Sequence, residues 1–415
     1  MKKLISTFVL ALILNSAFCI QNSQAQWSLC SGFNPNINAQ SVTSTSTLVF
    51  ASTGADCVYK STNNGANFTQ TTYFSYGNIP TLGVIGSTVI AGSNGNGVYT
   101  TVNNGTNWIQ TSLDHHAIIS MAISGSTIYA GILDSGVFIS PNGGVSWVQS
   151  SLNNKTVRAL AVSGSYVYAG TMDTGGVYVS SNNGSTWVWS SLNNKSIYAL
   201  AVIGANVYAG TRDHGIYTST NYGTTWVQNS INSSTVSALL LYDNKIFAGV
   251  EGLGIFMSTN NGSSWIEKND GLPVNTFFNQ IYITGNYIFA ATQHFSLWRR
   301  PLSEVISIKN ISTEIPSAFS LSQNYPNPFN PTTVIRFQLS VDSKSLSSPH
   351  GLGGDLVQLK VYDIMGREVA TLVNEQLAPG TYETTFDGSA LSSGTYFYKL
   401  TSGNFTQTKK LTLLK

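Results

Sequence analysis

Residues 177–191 read VYVSSNNGSTWVWSS, and the chain repeats this phrase, with small changes, six times. Its core is S-x-N-x-G-x-[ST]-W, carried here by Ser180, Asn182, Gly184, Thr186 and Trp187. The phrase returns around Gly65, Gly105, Gly144, Gly223 and Gly262, at intervals of 40, 39, 40, 39 and 39 residues. A constant period of this size marks a repeat architecture, in which one supersecondary unit is stacked many times.

A second marker precedes each glycine. It reads LVFAS at 48–52, VIAG at 89–92, IYAG at 128–131, VYAG at 167–170, VYAG at 207–210, IFAG at 246–249 and IFAA at 288–291. Between markers the text is short apolar runs broken by Gly, Asn and Ser, with no helical periodicity. In the third period these runs are IISMAIS, TIYAG, GVFIS and SWVQSS. Four short antiparallel strands per period make one blade of a β-propeller. The second marker occurs seven times and the phrase six, because the last period ends at SLWRRPL (296–302) without a fourth strand. QWSLCSGFN (26–34) superposes on SWVQSSLNN (146–154), with Trp27 matching Trp147. The first strand after residue 25 is therefore expected to complete the last blade and remove an exposed edge at the seam.

The chemistry of the phrase is that of a tight turn. Gly adopts positive φ without a Cβ penalty, and Asn, Ser and Thr side chains bond their own loop backbone. The Trp opens the outer strand and buries a large ring, with Phe68 in its place in the first copy. The six turns are Asn63 and Gly65, Asn103 and Gly105, Asn142 and Gly144, Asn182 and Gly184, Asn221 and Gly223, and Asn260 and Gly262. The phrase resembles the Asp-box repeat of sialidase-like and photosystem-assembly-factor-like propellers, with Asn in place of Asp in all six copies. In that family the box is a structural turn remote from the active site.

The 415 residues carry a net charge of +2 and only 9% charged residues, which gives no electrostatic reason to expect nucleic acid or an anionic membrane as partner. Met1-Lys2-Lys3, the apolar run Leu4 to Leu14 and Ser23-Gln24-Ala25 read as a signal peptide over 1–25. No transmembrane segment is expected in the mature chain. Cys30 and Cys57 remain after cleavage, and an oxidising compartment permits a disulfide between them.

A sialidase-like site would need an arginine cluster, yet residues 26–302 hold only Arg158, Arg212, Arg299 and Arg300. Nine carboxylates lie in the same span. Asp56, Asp134, Asp173 and Asp213 recur in the loop between second and third strands, where an Asp before a Gly turn reads first as an Asx turn. These loops share a face with the loops joining blade to blade. That face gathers Asp114, His115, His116, Arg158, Arg212, His214 and Glu251, with Tyr73, Phe74 and Tyr76 at one edge, as a shallow polar binding surface. The histidines are poorly spaced for a metal, and no cofactor is implied.

Composition shifts at Pro301. A Ser/Ile-rich linker is expected over 303–316, followed by about seven short strands over 317–415, a β-sandwich count. This segment resembles the type A C-terminal sorting domain of type IX secretion substrates. The resemblance rests on YPNPFNP (325–331), TVIRF (333–337), LKVYDIMGREVATLV (359–373), GTYFYKL (394–400) and KKLTLLK (409–415). It implies passage through the periplasm and recognition by the type IX translocon. Cleavage of the domain and attachment of the cargo to surface polysaccharide often follow in that family.

The expectation is thus an all-β chain, a seven-bladed β-propeller over 26–302 followed by an Ig-like β-sandwich. It is read as a secreted or cell-surface monomer that binds a glycan or protein ligand without chemistry of its own. The rival class is an Asp-box glycan-active enzyme, a hydrolase or lyase.

Overall fold

The computed structural model describes residues 26–33, 36–55, 58–72, 78–243, 245–259, 261–306, 308–312, 314–340, 355–377, 379–388 and 391–415. Among these, seven four-stranded antiparallel sheets follow one another as blades 1 to 7. Blade 4 is representative, with strands Val157–Ser163, Tyr166–Thr171, Gly176–Ser180 and Val188–Trp189 counted outward from the axis. Leu160 pairs with Ala169, Ala169 with Tyr178, and Tyr178 with Trp189. The first strands of the other blades begin at Ala39, Thr81, Ile118, Ile197, Val236 and Phe277.

Blade 7 draws three strands from Phe277–Thr284, Tyr287–Gln293 and Leu297–Pro301, and its outer strand from the other end of the chain, Ser28–Leu29. Ser28 pairs with Arg299 and Leu29 with Trp298. The seam is stitched on both sides. Trp27 donates from its backbone N to Asp270 O at 2.7 Å and from Nε1 to Lys268 O at 2.6 Å, while Ser31 N donates to Ala66 O of blade 1 at 3.0 Å. Cys30 is buried in the apolar cluster between blades 7 and 1, and that burial pushes its thiol up to about 12. Its expected disulfide partner, Cys57, lies outside the described residues.

The second marker forms the second strand of each blade, its most deeply buried one. Val167, Tyr168, Ala169, Gly170 and Thr171 are all buried, because this strand has a neighbouring blade on each side. Its glycine is a matter of space: a Cβ at Gly170 would come within 2.5 Å of the Ile197 side chain of the next blade. Blade 7 has Ala291 there, and the same apolar cluster supplies small Ala39 where other blades present Ile, Val or Phe.

The turn phrase behaves alike in each described copy. In blade 4, Asn182 Oδ1 accepts from Ser180 Oγ and from Thr186 N, both at 2.9 Å, and Ser180 Oγ accepts from Gly184 N at 2.9 Å. Gly184 sits at φ 80° and the preceding Asn183 at φ 55°. Asn182 Nδ2 donates to Thr186 Oγ1 at 2.9 Å. The turn needs one side-chain acceptor; its second atom faces a hydroxyl that can donate or accept, so an amide serves as well as a carboxylate. The Trp then reaches the previous blade: Trp187 Nε1 donates to Ser150 Oγ at 3.2 Å, and Trp226 Nε1 to Ser190 Oγ at 3.3 Å. Asn260 of the sixth copy lies outside the described residues.

Within 303–316, expected as a linker, the described residues include two short elements. Leu302–Ile306 is a short helix, and Ile308–Ser312 pairs with Gly380–Asp387 as an edge strand of the C-terminal sandwich. A five-residue edge strand between prolines carries too little alternation to be told from a linker. The first sheet runs 308–312, 380–387, 332–339, 320–321, and the second 368–377, 355–362, 394–402, 405–413. Phe329 of YPNPFNP is buried and tied to the last strand, its N donating to Thr412 O and its O accepting from Leu414 N, both at 3.0 Å. Asn327 Oδ1 accepts from Thr412 N at 2.9 Å. The proline motif therefore clamps the C-terminal strand. One apolar cluster runs from Ile266 and Phe278 of the ring through Leu302 and Val305 to the sandwich residues Leu321 and Phe337.

Candidate functional site at the channel mouth

The first strand of six blades carries a register shift near its start. The unpaired residue is Gln40, Ile119, Arg158, Tyr198, Ser237 or Asn279 in turn. A bulge of this kind re-aims a side chain away from the ladder. Blade 2 has Pro80 at the corresponding place, before its first strand. All seven residues line one cavity of about 150 Å³ at the axis. At this one position each blade therefore presents a different residue to the channel mouth, beside further residues of its first strand.

The ring is chemically lopsided. Blades 4, 5 and 6 supply Arg158, Tyr198 and Ser237, and the Arg158 guanidinium carbon lies 5.5 Å from the Tyr198 ring centroid, in cation–π range. Blades 7 and 1 supply amides. Asn279 Nδ2 donates to Ala39 O at 2.8 Å, and Gln280 Oε1 accepts from Ser41 Oγ at 3.1 Å and from Val42 N at 2.5 Å. Blades 2 and 3 supply Pro80 and Ile119, which are apolar.

Glu251 stands beside the charged sector. Its half-buried carboxyl titrates above the usual glutamate range because burial disfavours the charge. The Ser237 hydroxyl and the Arg158 and Arg212 charges pull the other way, and Asp213 pushes it further up. Of the binding residues expected from sequence, the structure thus gathers Arg158, Arg212, Asp213 and Glu251.

The others, and Asp213 as well, serve the loops. Asp134 accepts from Thr156 Oγ1 at 2.6 Å and donates from its own N to the same hydroxyl at 3.2 Å; Asp213 repeats both bonds with Thr235, at 2.9 and 3.1 Å. Each Asp sits at positive φ and stitches its blade to the next. Asp173 shares that φ, and its neighbour Thr174 N donates to Ser196 Oγ at 3.2 Å. Asp114 and His115 form an exposed pair at 3.7 Å, His116 packs on Phe138 at 5.0 Å, and His214 Nδ1 meets Arg212 O at 2.8 Å. Asp56, Tyr73, Phe74 and Tyr76 lie outside the described residues.

Sequence reasoning missed Gln40, Pro80, Ile119, Tyr198, Ser237 and Asn279. In blades 4 to 6 their signal was present as the changing second letter in VRALAV, IYALAV and VSALLL, a variable position between a β-branched residue and an alanine.

Residues 323–413 match the family described as secretion system C-terminal sorting domain. No curated protein matches the chain. Among solved structures it is similar to YCF48 from Cyanidioschyzon merolae, at 12% identity and TM-score 0.55 over 67% of this chain and 99% of that one. The WD40 β-propeller domain of Doa1 is similar at 13% identity and TM-score 0.53, over 66% and 96%. The GH74 enzyme of Niastella koreensis is similar at 18% identity and TM-score 0.50, over 64% of this chain and 43% of that one. At these identities the likeness is one of fold. Among the described residues no helix is long and apolar enough to cross a membrane. The chain is a β-propeller that carries behind it a type IX secretion C-terminal sorting domain, the mark of a secreted or cell-surface protein.

Proposed function

We propose that the propeller is an exported binding module that holds a polar ligand at the channel mouth, and that its ligand is an acidic glycan chain. The observation that carries this reading is the ring of seven residues at the bulge position or its equivalent, one from each blade and all different, on a scaffold whose turn phrase repeats from blade to blade. Arg158 supplies a cation stacked on an aromatic face, Tyr198 supplies a surface for a sugar ring, and the amides of Gln40 and Asn279 supply donors and acceptors. Burial moves Glu251 toward its neutral form, which leaves the Arg158 charge less opposed.

Export follows the same reading: residues 1–25 act as a signal peptide to the periplasm, and 317–415 are then taken by the translocon. A glycan-active enzyme would need two carboxylates flanking a bond. Asp213, the acid beside Glu251, is already engaged by Arg212 at 3.5 Å and by Thr235 at 2.9 Å, which favours the binding role.

The test is retention of acidic and neutral polysaccharides by the purified protein and by Arg158→Ala and Tyr198→Ala. Acidic chains should be retained by the wild type and lost in both variants, with melting temperatures unchanged. Equal retention in Arg158→Ala would overturn the reading.

A further inference from the structure

The face opposite the channel mouth carries the glycine turns, and there blades 5 and 6 leave between them a cavity of about 300 Å³. Two changes in the repeat open it. In the preceding gap, between blades 4 and 5, the cognate positions are Tyr166 and Tyr222, whose rings stack at 4.5 Å and fill the space above Tyr168. Between blades 5 and 6 the same positions are Asn206 and Asn261, too short to meet, and Tyr208 lies beneath them as the floor. The Tyr208 hydroxyl stands 3.5 Å from Asn261 Oδ1.

A third change adds a donor. Where blades 3 and 4 end their outer strands in Ser150 and Ser190, which accept from the next tryptophan, blade 5 has Asn229. Asn229 Oδ1 accepts from Thr218 Oγ1 at 3.1 Å, while Nδ2 has no hydrogen-bond partner among the described residues. Val227, 71% exposed, forms an apolar lip.

We propose that this cavity is a second binding site, for a single neutral sugar ring. Its volume is at the lower end for small-molecule pockets, about 300 Å³, which admits one ring and little more. None of its lining side chains is a carboxylate, an amine, a guanidinium or an imidazole, so a charged occupant would find no counter-charge. Amides and hydroxyls each offer donors and acceptors together, which is what the vicinal hydroxyls of a pyranose require. The apolar lip suits the C–H face of the same ring. The site stands on observations separate from those at the channel mouth.

The experiment is saturation-transfer NMR and calorimetry on the purified protein with glucose, galactose, mannose, N-acetylglucosamine and glucuronate. The plugging variant is N206Y/N261Y, which rebuilds the tyrosine pair the ring already holds between blades 4 and 5. At least one neutral sugar should bind saturably to the wild type and to Arg158→Ala, and at least about tenfold more weakly to N206Y/N261Y, with the melting temperature unchanged. Should that variant fail to fold, Asn229→Ser, which restores the residue of blades 3 and 4, should weaken the same sugar. The proposal falls if no neutral sugar saturates, if glucuronate is preferred, or if the plugged variant binds as well as the wild type. Loss of the sugar in Arg158→Ala would also overturn it, by moving the sugar to the channel.

Discussion

The two faces of the ring are built from the same strands and follow opposite rules. On the turn face, blades 1 to 5 set the same Asn beside the same Gly, with the same bonds to within a few tenths of an ångström. At the channel mouth, seven corresponding positions hold Gln40, Pro80, Ile119, Arg158, Tyr198, Ser237 and Asn279. Repetition follows where every blade faces the same folding problem, a tight reversal and a tryptophan to seat. Variation follows where the backbone geometry is secured by neighbours and the side chain is left to meet something else. The cavity between blades 5 and 6 obeys this rule from the other side, since it opens where two turn-face positions depart from their cognates.

The largest test of this contrast is at the seam. Trp27 is the turn-face tryptophan of blade 7, buried and bonded to Lys268 O, but delivered by the N-terminus. Trp27→Ala should cost about 3–5 kcal/mol, the range for truncating a large buried aromatic, read as a drop in denaturant midpoint. Removing 26–29 should go further and promote self-association by exposing the blade 7 edge, seen by light scattering. A monodisperse truncation with unchanged melting would mean that the ring closes without its clasp.

Gly176 should follow. It sits at φ 74°, and an added Cβ would strike the backbone of Leu192 and Asn193 in the loop to the next blade. The same contact recurs at Gly97, Gly136 and Gly215. Gly176→Ala should cost about 2–3 kcal/mol by thermal melting while leaving ligand retention intact once folded. A neutral outcome would place this position among the tolerant ones and blur the contrast.

A smaller effect belongs to Glu251 and shows as pH dependence. Its folded-state pKa is raised, so the folded protein holds more protons than the unfolded chain between the ordinary glutamate range and the raised value. Stability from this group is greatest below that window and declines as pH rises through it. Affinity for an acidic ligand should decline over the same window as the carboxylate forms. Glu251→Gln should flatten both profiles at their low-pH level, measured by melting and by titration between pH 4 and 7 on the order of the glutamate range. Unaltered slopes would show that Glu251 does not sense the channel.

The smallest effect expected is Asn182→Asp. Oδ1 keeps its two bonds, and the Thr186 hydroxyl turns from acceptor to donor. The change should lie within about 0.5 kcal/mol of zero. A loss beyond about 1 kcal/mol would mean that the amide donor is required and that the asparagines are not interchangeable with aspartates.

The sequence by itself determined the seven-bladed ring and the sorting domain. The period, the turn phrase and YPNPFNP are local: Asn182 reaches Ser180 and Thr186, two and four residues away, so the bonds that make the turn are written next to one another. Even the closing strand could be read, because Trp27 repeats the pattern around Trp147. The edge strand Ile308–Ser312 was hidden, since its partner at 380–387 lies far along the chain. Only the tertiary structure decided the sites. Arg158, Tyr198 and Glu251 come from three blades; bulges turn Arg158 and Tyr198 toward a common axis, and the loop after the second strand of blade 6 brings Glu251 beside Arg158. Asn206 and Asn261 open a cavity only because blade 6 lays its turn over blade 5. A repeat states the geometry within a blade; which side chains face one another across a gap follows from how blades pack, and no spacing in the chain encodes that directly.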